Sequence, residues 1–578
     1  MRTEYCGKIN LFYLQKEVTL YGWVNNHRNL GKMIFIDLRD REGILQIVFD
    51  MHNKKIFKLA SILRKEFCVK VQGIVQKRDN KNKNSKMFTG EIEVLATYLK
   101  VINTSETLPL DNNHNNTEEM RLKYRYLDLR RPEMIDRLKK RAKIIRYVRD
   151  YMEKNNFFEI ETPFLTKMTP EGARDYIIPS RIQKNKFFSL PQSPQIFKQL
   201  LMISGLDRYY QIVKCFRDED LRSNRQPEFT QIDFEMSFVK TSEVRKIAED
   251  IVRKLWSKIK NFDLGTFPIL TYRESMLRYG CDNPDLRNPI EIIDLNLNFL
   301  ELLKLKKDNQ RLAAICVPKG KKISRKKLDN YEKIILESKS KNFGWIRKTS
   351  NLWKWFSKEK KIKVFSNYDI LEKIITILNA NDDDLIFLCI DNTEIVSDVL
   401  GTIRKKAGNE LKISCGEWKP LWVINFPMFN FDENNKIYSV HHPFTAPYNK
   451  DIKEIKEKHK YIISDSYDMI INGNEVGGGS KRIHCQKIQK LVFDILNIKQ
   501  EEQKEKFGFF LDALNFGTPP HAGFAFGLDR LIMLLTDTDN IRDVIAFPKT
   551  TSTSCLMTGA PSFIDNDFIK ELSIQLLK

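Results

Sequence analysis

The sequence predicts a multidomain chain: a small β-barrel, then a mixed α+β body interrupted by an insertion. Three observations carry this reading. At roughly 100–200 residues per domain, 578 residues are too many for one module. Residues 1–101 hold five short runs of alternating apolar character. From residue 130 the apolar period lengthens to helical steps, and between 285 and 425 the texture shifts to dense Lys and Asn.

The five runs lie at 18–24, 33–38, 44–49, 67–75 and 91–101, separated by turn-prone stretches such as Asn29-Leu30-Gly31 and Arg41-Glu42-Gly43. Five strands in a segment this short suggest a closed barrel, with an OB-fold the leading candidate, and the helical segment 54–64 falls where that fold places its helix. Residues 102–120 are polar and aperiodic, so they read as a linker. Ile135, Leu138, Ala142, Ile145, Val148 and Met152 mark one face of a helix that begins near Pro132. Strands are expected at 157–162, stopped by Pro163, and at 209–216 and 230–238. Strand and loop motifs resume at 422–431, and a helix packed on the body is expected at 562–578.

Composition narrows the function classes. Hydrophobic residues make up 42% and charged residues 30%, which fits a globular chain and argues against disorder. No window approaches the ~18 apolar residues that a membrane helix needs, so no membrane partner is expected. The opening MRTEYCGKIN lacks the apolar core of an export signal, so a cytoplasmic location is expected. None of the nine cysteines forms a C-x-x-C pair, so packed reduced thiols are expected rather than a zinc ribbon. The net charge of +22, from 97 Lys+Arg against 75 Asp+Glu, fits a polyanionic partner such as nucleic acid. It fits equally a composition that has drifted toward Lys, Asn and Ile.

No G-x-x-x-x-G-K-[ST] and no G-x-G-x-x-G occurs, so a bound nucleotide must have its phosphates held mainly by side chains. Three segments offer such groups. Arg217 in Phe216-Arg217-Asp218-Glu219-Asp220 follows an apolar strand, where a fork-shaped guanidinium can grip a phosphate or carboxylate. Taken alone it reads equally as a surface ion-pair cluster. Arg530 follows Gly527-Leu528-Asp529 at the head of an apolar helix, and an internal salt bridge is the plain alternative. Residues 472–482 combine a turn, Glu475, the glycines 477–479 and Arg482, with Asp468 just before. Two carboxylates beside phosphates suit Mg²⁺, and an ordinary hairpin is the plain alternative.

Together with Glu171-Gly172-Ala173-Arg174-Asp175-Tyr176 and Gln192-Ser193-Pro194-Gln195-Ile196-Phe197-Lys198-Gln199, these segments closely resemble the bacterial-type aspartyl-tRNA synthetases, of class II, subclass IIb. The resemblance runs from MRTEYCG and Phe35-Ile36-Asp37-Leu38-Arg39-Asp40 to His521-Ala522-Gly523 and Arg530. It implies a ligase that activates L-aspartate with ATP and Mg²⁺ and transfers it to tRNA-Asp. The implied fold is an OB-fold barrel plus an α+β class II catalytic domain with an antiparallel sheet and an inserted α+β domain. The implied division is 1–103 anticodon-binding barrel, 104–130 hinge, 131–284 and 426–578 catalytic domain, and 285–425 insertion. The helix and strand ending at Pro163 correspond to the family's dimer-forming motif, so a homodimer is implied.

Site roles carry over position by position. Arg217, Glu219 and Arg530 match the catalytic positions. Arg217, Asp218, Glu219, Gln226, Glu475, Gly527, Leu528, Asp529 and Arg530 match ATP-binding positions. Glu171, Ser193, Gln195, Lys198, Arg217, Asp233, His441 and Arg482 match aspartate-binding positions, with Lys198 and Arg482 on the side-chain carboxylate. His441 stands beside His442, and the resemblance does not choose between their imidazoles. Asp468 and Glu475 match the metal positions. Arg28, Phe35, Gln46 and Glu93 match anticodon-binding positions, and Leu30 sits where versions restricted to tRNA-Asp tend to carry leucine. The family's Gly-Ala-Asp in the insertion is here Cys389-Ile390-Asp391. Two alternatives remain: an enzyme that also charges tRNA-Asn, and an inactive OB-containing RNA-binding paralogue.

Overall fold

A computed structural model describes residues 1–578 except 111–115, 170, 296–298, 300–309, 338–341, 350–351, 358–364, 366, 433, 450 and 576–578. Two compact units emerge: Met1–Ala142 with Arg542–Phe563, and Lys143–Ile541 with Ile564–Lys578.

The first unit holds a closed five-stranded barrel in the order Glu17–Asn29, Met33–Arg39, Ile44–Asp50, Ile92–Asn103, Cys68–Lys77. Four of the five strands lie within two residues of their expected runs, because strict alternation fixes both strand and face, while the first runs on to Asn29, five residues past its expected end. Ile34, Ile36 and Leu38 point inward with Val18, Leu20, Leu45, Ile47, Val69, Val71 and Val94, leaving Phe35 and Asp37 on the outside. Parallel pairing of Ile47 with Val94 closes the barrel, and the helix Lys54–Ser61 caps it through Ala60.

The expected linker is irregular only as far as Thr117; helices Glu118–Lys123 and Arg125–Asp128 follow, and 111–115 lie outside the described residues. Helices this short show no period in sequence. Arg125 and Asp128 are buried, and Arg125 donates to Asp128 at 2.7 Å and to the carbonyls of Ala546 and Ile545 at 2.9 and 2.8 Å. Groups more than 400 positions downstream therefore fix the segment.

The second unit is built on an eight-stranded sheet. Its order is Ile269–Thr271, Pro420–Ile424, Ser466–Ile471, Asn474–Lys481, His521–Gly527, Glu228–Ser237, Arg208–Phe216, Phe158–Glu159. The six central strands are antiparallel, and only the short edge strands pair parallel. The strand expected at 157–162 shortens to Phe158–Glu159, since it lies at the sheet edge and Pro163 offers no N–H. The helix Pro132–Lys154 forms as expected, but its buried face differs. Met134, Ile144, Val148, Tyr151 and Met152 are buried, whereas Ala142 is exposed and Ile135, Leu138 and Ile145 are half-buried. Among the described residues of the expected helix 562–578 only Asn566–Glu571 is helical, and it buries no residue.

Between Ile269–Thr271 and Pro420–Ile424, neighbours in the main sheet, lies a separate antiparallel sheet. Its order is Ile292–Asp294, Gln310–Val317, Leu385–Asn392, Phe343–Thr349, Leu352–Phe356. Both faces are covered. Ala313, Ile315, Phe387 and Cys389 pack with Val396, Leu400 and Ile403 of the helix Thr393–Leu411. Leu312, Ala314, Ile386 and Leu388 pack with Ile370, Leu371 and Ile374 of the helix Tyr368–Leu378. Two-sided burial explains why these strands read as unbroken apolar runs. Cys389 is core, and Lys319, Lys321, Lys322, Lys326 and Lys327 are solvated; the second Lys run, 358–363, lies outside the described residues. Among the described residues no helix is long and apolar enough to cross a membrane.

Candidate active site

The second unit holds a cavity of about 540 Å³ over the central strands. Glu228–Ser237 supplies one wall: Gln231, Asp233 and Glu235 alternate with Ile232, Phe234 and Met236, so three polar side chains share a face. On the other face Phe234 meets Phe157 and Phe524. The neighbouring strand places Gly523 opposite Glu235, where a Cβ would lie 1.9 Å from Glu235 Oε2. Only glycine leaves room for that carboxylate.

Glu235 organises two buried cations. Arg482 donates Nε and Nη2 to its two oxygens at 2.9 and 3.0 Å, and Lys198 Nζ lies 3.2 Å from Oε2. Lys198 also donates to Asp233 at 2.6 Å. Arg482 Nη1 donates to Ser480 Oγ at 2.6 Å and to His442 Nε2 at 2.7 Å. Arg482 and Lys198 are each 2% exposed, and Asp233 and Glu235 are fully buried. Burial works to raise the Glu235 carboxyl, but Arg482 and Lys198 outweigh it and hold it at about 2. Burial, with Glu235 beside it, pushes Asp233 above its ordinary value against the pull of Lys198.

Of five N–H on a guanidinium and three on an ammonium, the array leaves one on each cation. Two N–H donors at the cavity wall match the two oxygens of one carboxylate.

The imidazoles divide. Burial, then Arg482, holds His442 well below the ordinary histidine value; neutral, it accepts from Arg482. Burial opposes charge on His441, but Asp468, 3.4 Å from its Nε2, outweighs it and raises the group. Both line the cavity. Ser193 donates to Glu171 Oε2 at 2.6 Å, and burial lifts the Glu171 carboxyl to about 7. Gln195 and Lys198, on the helix Gln195–Ile203, face the cavity one turn apart, and the buried Gln195 Nε2 has no partner among the described residues.

The cations at the other end are less committed. Among the described residues Arg217 makes no ion pair; it lies 5.0 Å over the Phe229 ring, while Glu219 pairs with Arg225 at 2.8 Å. The plain surface-cluster reading of Arg217 therefore fails. Arg530, at the head of the helix Leu528–Leu535, donates to the Glu475 carbonyl at 2.9 Å, with the Glu475 carboxylate 3.6 Å away. A Cβ at Gly478 would lie 2.5 Å from Asp468 Oδ1 and 3.9 Å from Glu475 Oε1, so both carboxylates converge over a bare backbone. Burial, with Glu475 and Asp282 adding negative charge, raises Asp468 to about 6 despite His441.

Glu171, Ser193, Gln195, Lys198, Arg217, Glu219, Gln226, Asp233, His441, Asp468, Glu475, Arg482, Gly527, Asp529 and Arg530 all line this one cavity. Asp218 and Leu528 do not: Asp218 donates its N–H to the Arg174 carbonyl at 3.0 Å, and Leu528 is core. Sequence reasoning missed Glu235, Ser480 and the pairing of His442 with Arg482. The period-two spacing of Gln231, Asp233 and Glu235 in an apolar strand was the available signal for Glu235.

On the barrel, the outer face joins the four expected residues. Arg28 pairs across strands with Phe35 and donates to Asp37 at 3.1 Å and to Gln46 at 3.0 Å. Gln46 donates to Glu93 at 2.8 Å. Arg78, 5% exposed and not foreseen, lies 3.8 Å from Glu93. Phe35 is half-exposed beside this polar chain, as a stacking platform requires, and Leu30 is 73% exposed in the hairpin above.

Comparison with known proteins gives a consistent set of relatives. Residues 117–551 match the family described as tRNA synthetases class II (D, K and N), and residues 18–102 match the OB-fold nucleic acid binding domain. The chain is 52% identical over 585 aligned residues, covering all of both chains, to proteins named Aspartate--tRNA ligase from Buchnera aphidicola subsp. Acyrthosiphon pisum, strains APS and Tuc7. The fold is shared with asparaginyl-tRNA synthetase from Pyrococcus horikoshii complexed with asparaginyl-adenylate, at TM-score 0.61 and 19% identity over 95% of this chain and 98% of that one.

Proposed function

The chain belongs to the class II tRNA synthetases of the D, K and N group, and from that membership and the identity to named aspartate–tRNA ligases we infer that it joins L-aspartate to tRNA using ATP. One observation carries the choice of amino acid: Glu235 holds Arg482 and Lys198 at the cavity wall, with one N–H of each uncommitted among the described residues. A carboxylate satisfies both donors. The amide of asparagine in the same place sets its own N–H against one of them, and lysine brings a third cation.

The chemistry follows from the cavity's two ends. The α-carboxylate of aspartate attacks the α-phosphorus of ATP and pyrophosphate leaves; then a terminal ribose hydroxyl of the tRNA attacks the adenylate carbonyl and AMP leaves. The first step needs orientation and relief of charge repulsion rather than a protein nucleophile. Arg217, which makes no ion pair among the described residues and is braced on Phe229, grips the α-phosphate and the reacting carboxylate. Arg530 grips the distal phosphates, and Gln226 and Glu219 lie toward the base. Glu171, Ser193, Gln195, Asp233 and His441 surround the ammonium. Asp468 and Glu475 fit Mg²⁺: they converge over Gly478, their mutual repulsion is what a divalent cation relieves, and Mg²⁺ characteristically takes one or two carboxylates plus phosphate oxygens. Bound there, the metal would neutralise phosphate charge.

Burial places the Glu171 titration near neutrality, which gives a pH signature. Below about 7 the group is a neutral acid; above it, an anion that attracts the substrate ammonium. The KM for aspartate in ATP–pyrophosphate exchange should fall as pH rises through that range, and Glu171→Gln should remove the step.

The barrel reads the anticodon through Phe35 stacking and the Arg28, Gln46 and Glu93 edge contacts. Phe35→Ala should lose roughly 1–3 kcal/mol of tRNA interaction, seen as a raised tRNA KM in charging with exchange unchanged. Equal loss of both activities would assign Phe35 to folding. The exposed Phe158, Phe164 and Leu165 of the second unit support a homodimer. A cytoplasmic site of action accompanies this reading, and Leu30 supports restriction to tRNA-Asp. Charging purified tRNA-Asp and tRNA-Asn side by side tests both function and restriction: aspartate on tRNA-Asp alone is expected, equal charging would establish the relaxed form, and no charging would leave an RNA-binding paralogue.

A further inference from the structure

We propose that the inserted five-stranded domain clamps the hairpin turn that carries Glu475, and so sets the position of the Glu475–Arg530 pair at the triphosphate end of the cavity. The inference rests on the reading of that cavity given above and adds residues outside it.

The domain is joined to the body by backbone, not by a pliable linker. The helix Tyr272–Tyr279 ends on Gly280 at φ 70°, against the inserted helix Thr393–Leu411 at Gly401. A Cβ on Gly280 would lie 2.1 Å from the Ser397 carbonyl oxygen, and one on Gly401 would lie 2.5 Å from the Gly280 carbonyl oxygen. One turn on, the buried Arg404 donates to the carbonyls of Asp285, Asn288 and Ile290 at 3.0, 2.9 and 2.6 Å. The inserted helix therefore dictates the path of residues 281–290.

That segment rests on the turn. Asn283 Nδ2 donates to the Gly473 carbonyl at 3.3 Å, and a Cβ on Gly473 would come within 3.1 Å of the Asp285 Cβ. The chain leaving the domain holds the same turn from its other side: Lys419 N–H donates to Asn472 Oδ1 at 2.9 Å, and Asn472 Nδ2 donates to the Glu417 carbonyl at 2.8 Å. Asn472 and Gly473 are the two left-handed residues of a tight hairpin, with φ of 52° and 76°. Glu475 follows two residues later, and its carbonyl holds Arg530. The segments entering and leaving the insertion thus grip one two-residue turn whose displacement moves the phosphate-end cation. Asn283, Gly401, Arg404 and Asn472 are positioning residues.

The test is aspartate-dependent ATP–pyrophosphate exchange by the full chain, titrating each substrate separately. The double variant Asn283→Ala/Asn472→Asp removes one hydrogen bond from each side of the turn and leaves the fold's cores intact; Gly401→Ala pushes the inserted helix off Gly280. Both should raise the KM for ATP roughly tenfold to a hundredfold, with the KM for aspartate within about twofold of wild type. An unchanged ATP KM in the double variant overturns the clamp, as does a parallel rise for both substrates. Failure of the unmodified chain to exchange with aspartate would instead overturn the reading of the cavity.

Discussion

Arg482→Leu should abolish aspartate-dependent ATP–pyrophosphate exchange while the chain stays folded. The variant removes one of the two donors to the substrate carboxylate. It also strips Glu235 of its bidentate partner, leaving a fully buried carboxylate whose remaining ion pair among the described residues is with Lys198 at 3.2 Å. Breaking a buried pair from one side costs about 3–5 kcal/mol, a factor of roughly 10² to 10⁴. Glu235, held at about 2 by its two cations, would then rise, and Lys198 would turn toward it and away from substrate. Calorimetry separates the two components: a modest fall in Tm with exchange gone places Arg482 in recognition, whereas near-normal exchange would refute the pocket.

Arg217→Ala should lower kcat for exchange by roughly 10²–10³ with a smaller change in Tm than Arg482→Leu produces. Its guanidinium makes no ion pair among the described residues and leans on Phe229, so removal leaves no orphaned acid behind. The lost interaction is with charge that develops at the α-phosphorus, and the deficit belongs in kcat rather than in the KM for aspartate. Arg217→Lys should rescue little, because an ammonium cannot bridge a phosphate and a carboxylate as a planar fork does. A kcat within twofold of wild type would place the α-phosphate elsewhere.

What the sequence made legible follows from the range of the interactions involved. Four of the five barrel strands and the strands 209–216 and 230–238 could be read to within two residues, since alternation is local. The helix Pro132–Lys154 was legible as a helix, but its buried face was not: Met134 and Ile144 are buried, while Ala142 of the expected face is exposed. Most of the expected site residues meet in the cavity, yet Asp218 and Leu528, which the family resemblance also placed at ATP, are not among its lining. Glu235 escaped because its role depends on Gly523, Arg482 and Lys198, which only the tertiary fold brings together. The grip of Asn283 on Gly473 spans 190 positions and leaves no local trace.

The central claim is that two single N–H donors, fixed by one buried carboxylate, select a carboxylate side chain over its amide. ATP–pyrophosphate exchange by the unmodified enzyme with L-aspartate and then L-asparagine measures this directly. A kcat/KM for aspartate higher by roughly 10² to 10⁴ is the expected result. Comparable values for the two amino acids would contradict the account.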